Sequence, residues 1–162
     1  MKLSQLLVES RVMAMVGQVD KGRLLQRIAE VFARDLPGAS VSQIKERLLE
    51  REGVSSTGIG QGIAIPHARL SLQEPGGKWL TTPMAVLARS KEGMAFEALD
   101  GQPVHLVMAL ISANENREDH LRALSICSQV LRHEEVRQRL LQARDAATML
   151  AVALGNHEGN DE

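Results

Sequence analysis

The sequence predicts an α/β domain with a central mixed β-sheet flanked by helices, and three observations carry that prediction. Short apolar runs alternate with stretches whose apolar residues recur at helical spacing, the pattern of a sheet covered by helices. Val104 to Ile111 is apolar at every position except His105, as expected of a central strand buried on both faces. The connection between this run and the apolar run Met84 to Ala88 is too short for a helical crossover, so the two strands are expected to pair antiparallel. One domain is expected over residues 1–155, followed by a flexible C-terminal tail over residues 156–162.

The elements follow in chain order. Val12 to Val16, closed by Gly17, predicts a short buried strand. From Lys21, Leu24, Leu25, Ile28, Val31 and Phe32 repeat at helical spacing against a polar face, predicting an amphipathic helix that ends before Pro37-Gly38. Ser40 with Gln43 three residues on fits a capping box, and Ile44, Leu48 and Leu49 continue a second helix to about Glu52-Gly53. VSSTGIGQG (54–62) is dense in hydroxylated residues and glycines and predicts a loop with unusual backbone angles. Ile63 to Ile65 is a short strand closed by Pro66, whose ring restricts the residue before it and which lacks an N–H, so His67 is expected at a strand end. Ser71 to Pro83 is loop-like around Pro75-Gly76-Gly77, Met84 to Ala88 is a buried strand, and Asp100-Gly101 is a turn. Asn116 and Asp119 mark the start of a helix running to Arg132, and Glu134 to Ala143 and Asp145 to Leu154 are two more.

Composition excludes several function classes. Nineteen Lys and Arg against twenty Asp and Glu give a net charge of −1, which offers no overall field for a polyanion. Aromatic residues make up 2%, namely Phe32, Trp79 and Phe96, so stacking platforms for single strands are missing and nucleic acid is not expected as a partner. The lone Cys127 cannot form an internal disulfide, Met1 to Ser10 lacks the apolar run of a signal peptide, and no stretch approaches the roughly 20 apolar residues that cross a bilayer. A cytoplasmic protein without membrane insertion is expected.

Familiar enzyme motifs are absent. Gly58, Gly60 and Gly62 do not make G-x-G-x-x-G, which would need glycine at Ile63, and the glycines precede a strand instead of joining strand to helix. His67 stands out instead, after the rigid Ile65-Pro66 pair, beside a glycine-rich segment and before the small Ala68 that would leave its ring accessible. A neutral imidazole nitrogen is a good nucleophile toward phosphorus, and the N–P bond it forms is labile enough to pass the group on. Such transfer needs positive or hydrogen-bonding groups around the phosphoryl oxygens, for which Arg51 and His120 are the candidates. Plainer readings stand beside these: Arg51 as no more than a cation at a helix C-terminus, and His120 as a solvent-facing residue. His105 is read as a satisfied strand residue, His133 and His157 as surface residues, Cys127 as a buried small hydrophobe, and Ser56 and Thr57 as loop-shaping hydroxyls.

The run from Arg51 to His67, ending in STGIGQGIAIPH, resembles the enzyme IIA domains of the fructose and mannitol class in the bacterial phosphotransferase system. FEALDGQPVHLVMAL and the HLRALS segment from His120 extend the likeness, which is strongest to the nitrogen-regulatory branch. The resemblance implies an α/β sandwich whose phosphorylated histidine falls on His67, active-site arginine on Arg51 and second active-site histidine on His120. It implies a histidine-containing phosphocarrier protein as donor, and regulatory targets or an enzyme IIB as acceptors, with no cofactor or metal. The expected role is a phosphorylation-dependent regulator, with a sugar-transport enzyme IIA as the alternative. Two departures from the family pattern are Ala68, where glycine is usual, and the long Ser71 to Pro83 segment.

Overall fold

The structure, a computed structural model, describes residues 1–155. The tail over 156–162, with His157, lies outside the described residues. The chain forms β1 (Val12–Met13), α1 (Lys21–Arg34), α2 (Val41–Val54), β2 (Gly58–Gly60), β3 (Ile63–Ala64), β4 (His67–Leu70), β5 (Met84–Met94), β6 (Val104–Ala113), α3 (Arg117–Arg132), α4 (Glu134–Gln142) and α5 (Ala146–Gly155). Short 3₁₀ turns cover Leu3–Gln5, Glu9–Arg11 and Gly77–Trp79.

One six-stranded mixed sheet runs in the order β1-β5-β6-β3-β2, with β4 also on β6. The expected antiparallel pair is β5 with β6, and β1 lies parallel to β5. Both β3 and β4 pair parallel with β6, β3 opposite Leu106 and Val107 and β4 opposite Leu110 to Ala113. They are two halves of one line interrupted at Ile65-Pro66, where the N–H of Ile65 turns aside to the Thr57 carbonyl at 3.0 Å. His67 therefore opens a new strand instead of ending the previous one.

Alternation along the strands explains why β5 and β6 are so apolar. Val86, Ala88, Val107, Ala109 and Ile111 pack with Leu24, Ile28, Phe32, Ile44 and Leu48 of α1 and α2. Their neighbours Ala85, Leu87, Leu106, Met108 and Leu110 pack with Ala123, Cys127, Leu131, Leu140 and Met149 of α3 to α5. Each strand is thus covered twice, and period-2 polarity disappears from the sequence.

The helix caps agree with the sequence. Ser40 accepts from the Gln43 N–H at 3.2 Å and Asn116 from the Asp119 N–H at 3.3 Å. Besides β4, three segments differ from expectation: the strand expected over Met84 to Ala88 runs on to Met94 as β5, and two others depart as follows. The strand expected over Val12 to Val16 stops at Met13, because the fully buried Arg89 takes the Ala14 carbonyl through Nε at 3.1 Å and leaves Met15 in solvent. VSSTGIGQG is not all loop: β2 and β3 form an antiparallel hairpin with left-handed backbone at Gln61 and Gly62. A Cβ on Gly58 would lie 3.0 Å from the Ala98 backbone, so close packing of this hairpin requires glycine there. No helix of the described residues is long and apolar enough to cross a membrane.

Candidate phosphoryl-transfer site

Three segments far apart in sequence meet at the break between β3 and β4. Ala68 and Leu70 turn into the α1–α2 core, so by alternation His67 and Arg69 face away from it, toward the side where α3 packs. Ala68 is buried and its small size serves that packing, not the access to the ring that the sequence predicts. His67 itself is half-buried. Its Nδ1 lies 2.7 Å from the Ile65 carbonyl, which can only accept, so Nδ1 carries the ring proton and Nε2 keeps its lone pair.

Arg51 sits in the last turn of α2 and does two things. Its Nη1 donates to the Ser55 carbonyl at 3.0 Å, at the helix C-terminus, and its Nε donates to His67 Nε2 at 3.1 Å. The helix-end reading and the site reading of this residue are both true. His120, in the first turn of α3, is 7% exposed and not solvent-facing. Its ring centroid lies 5.6 Å from that of His67, and its Nδ1 shares a hydrogen bond with the Ser112 hydroxyl.

Burial favours the neutral form of both rings. Burial, then the charges of His67 and Arg69, press the His120 pKa down from 6.5 to about 4. Burial is also the main cause lowering that of His67, with the Arg51 charge adding to it and the Ile65 hydrogen bond opposing it. Two neutral imidazoles beside a guanidinium make a nucleophile and a hydrogen-bonding neighbour.

The rings open onto a cleft of about 700 Å³ whose lining includes Arg47, Arg51, Arg69, Arg117, Glu50 and Glu74. Arg51, Arg69 and Arg117 make no ion pair among the described residues, so the cleft presents unneutralised positive charge to an incoming anion. Among the same residues no three His, Cys, Asp or Glu side chains are grouped to hold a metal ion.

Sequence reasoning missed Ser112 and Glu52. Buried Glu52 accepts from the Thr57 N–H at 3.3 Å, from the Thr57 hydroxyl, and from Lys21 Nζ at 3.0 Å, tying the end of α2 to the hairpin that leads to His67. Neither residue carries a local signal, since each acts through a partner supplied by folding. Other expectations hold: His105 Nδ1 bonds the Ser90 carbonyl at 3.0 Å, Cys127 is buried, and the Ser56 hydroxyl donates to the Phe96 carbonyl at 2.7 Å.

A family model described as "Phosphoenolpyruvate-dependent sugar phosphotransferase system, EIIA 2" matches residues 5–154. The chain belongs to this family. A nitrogen regulatory protein of Pseudomonas aeruginosa is 34% identical over 158 residues, covering 98% of each chain. The fructose-specific EIIABC component of Bacillus subtilis is also 34% identical, over 94% of this chain, which spans only 23% of that protein. The crystal structure of nitrogen regulatory protein IIA-Ntr from Neisseria meningitidis superposes with a TM-score of 0.82 at 26% identity, covering 93% of this chain and 98% of that one. This EIIA 2 chain is therefore a phosphoryl-transfer component of the phosphotransferase system, built on the fold that its sequence predicts.

Proposed function

We propose that this EIIA 2 chain takes a phosphoryl group onto His67 Nε2 from a phosphohistidine donor protein, and that the modified chain acts mainly as a regulator. The supporting observation is the fixed tautomer: with Nδ1–H committed to Ile65, only Nε2 offers a lone pair, and it already points at a guanidinium. In the transfer, Nε2 bonds to phosphorus while the donor's N–P bond breaks, and the donor nitrogen leaves with the electron pair. Nδ1 keeps its proton throughout. Arg51 moves its N–H groups from the lone pair to the phosphoryl oxygens, where it stabilises the charge. His120 donates to the same oxygens through Nε2–H, with the Ser112 hydroxyl donating to Nδ1 to hold that tautomer. Adding roughly two negative charges to a cationic cleft changes which surfaces can dock there, which is how a carrier becomes a signal.

The match to a nitrogen regulatory protein along nearly the whole of both chains supports the regulatory role over sugar transport. Incubation with phosphoenolpyruvate, the system's first enzyme and its histidine-containing phosphocarrier protein, followed by intact mass, tests the acceptor. One phosphoryl group is expected on the wild-type chain and none on His67→Ala; equal labelling of the two contradicts the proposal.

A further inference from the structure

The cleft contains three arginines besides Arg51, and of these only Arg47 is paired with carboxylates among the described residues. Arg47 precedes Arg51 by one turn of α2, so both leave the same face of the helix and both line the cleft with His67. Arg51 is free of carboxylates, whereas Arg47 is held by two of them. Its Nε and Nη2 both donate to Glu74 Oε1, the former at 2.7 Å, and its Nη1 donates to Glu50 Oε2 at 2.8 Å.

Glu74 comes from the long segment between β4 and β5, and its carboxylate is only half satisfied. Both Arg47 bonds fall on Oε1, while Oε2 is buried without any partner. A carboxylate that met a guanidinium side by side would engage both oxygens, so this pair is weaker than the fork geometry allows. The segment is pressed into place by two glycines. A Cβ on Gly76, whose φ is +82°, would lie 2.8 Å from the Ala39 side chain, and one on Gly77 would lie 1.9 Å from the Ser71 carbonyl oxygen. The loop is thus held against the turn before α2, with an imperfect Arg47–Glu74 pair lining the same cleft as His67.

We propose that Arg47 is a reserve cation for the phosphoryl group, kept by Glu74 while His67 is bare and drawn to the phosphoryl oxygens when His67 is phosphorylated, which releases the loop carrying Glu74 and Trp79. The inference rests on His67 as the acceptor. The phosphoryl group offers three oxygens and about two charges on one group, against one charge each on Glu74 and the half-exposed Glu50, so it competes for a guanidinium already in the cleft. Once Arg47 leaves, Glu74 keeps a buried carboxylate with no cation, facing a like charge. Both effects push the loop outward, and its surface then differs between the two states of the protein. No bond changes beyond the transfer itself.

Trp79 is the only tryptophan of the chain and is 53% exposed, with Lys78 Nζ 5.2 Å from its ring, so its fluorescence reads this loop alone. The full chain is phosphorylated as above, with intact mass and acrylamide quenching of Trp79 followed together. Quenching is expected to rise about twofold when the mass shows the phosphoryl group attached. Glu74→Gln and Arg47→Ala are expected to show the raised quenching before phosphorylation and no further rise after it. Arg47→Ala is also expected to accept the group more slowly, with Arg47→Lys restoring part of the rate. A phosphorylated wild-type chain with unchanged quenching overturns the inference and leaves His67 as acceptor standing. Unphosphorylated Glu74→Gln with wild-type quenching overturns the latch even if the wild type takes up no phosphoryl group. A wild-type chain that gains no mass removes the acceptor reading and this inference with it.

Discussion

His120 shows most clearly how burial sets the chemistry of a single side chain here. An imidazole with an ordinary pKa of 6.5 that titrates near 4 in the folded chain binds fewer protons folded than unfolded between those values. Its contribution to stability is therefore complete above pH 6.5 and is lost as the pH falls toward 4. At about pH 5 the loss amounts to about 2 kcal/mol for this residue, and the lowered pKa of His67 adds in the same direction. Urea unfolding at about pH 7.5 and about pH 5 checks this: the wild type should lose stability on acidification, and His120→Gln should lose about 2 kcal/mol less. Equal losses in the two proteins would show that His120 is not held neutral by its surroundings. His67 was legible in the sequence because Pro66 and the glycines around it are local signals. Arg51 and His120 entered as candidates for the positive and hydrogen-bonding groups that phosphoryl transfer needs and were supported by the family resemblance, since nothing in their own neighbourhoods distinguishes them from a helix-end cation and a surface histidine. Ser112 and Glu52 were not legible, because a serine in an apolar strand and a glutamate in a helix acquire meaning only from the side chains they meet.

Elements join at polar contacts that hydrophobic patterning does not reveal. Arg89 on β5 is fully buried, with no carboxylate partner among the described residues. It donates instead to three carbonyls: Ala14 after β1, and Leu140 at 2.8 Å and Ala143 around the end of α4. The guanidinium both ends the β1 ladder and satisfies carbonyls that the α4 C-terminus leaves open. Arg89→Met preserves much of the volume but leaves those carbonyls unpaired, and should destabilise the fold by about 2–4 kcal/mol. Urea unfolding measures this, while phosphoryl acceptance at His67 should persist at temperatures where the variant is folded. The helices were readable because their apolar residues recur over 14 or more positions in α1, α2 and α3. The strand at Ile63 was expected, but β2 and so the hairpin was hidden, because three residues of which two are glycine are too short to show a period. The early end of β1 was hidden because its cause, Arg89, lies on another strand.

Across the whole molecule, the two-sided core and the site have the same origin. Burying β6 on both faces places α2 on one side and α3 on the other, and the interrupted line of β3 and β4 alongside β6 sets His67 between the end of one helix and the start of the other. The sheet and its mixed pairing were legible because they follow from apolar runs and connection lengths. The convergence of residues 51, 67 and 120 was carried only by the family resemblance and not by patterning, because it depends on which strand lies next to which. Nuclear magnetic resonance of the ¹⁵N-labelled, phosphorylated chain, reading which imidazole nitrogen is bonded to phosphorus, tests this arrangement most directly. The N–P bond is expected at Nε2 of His67 with a proton still on Nδ1; phosphorus at Nδ1, or on any other histidine, would contradict this arrangement.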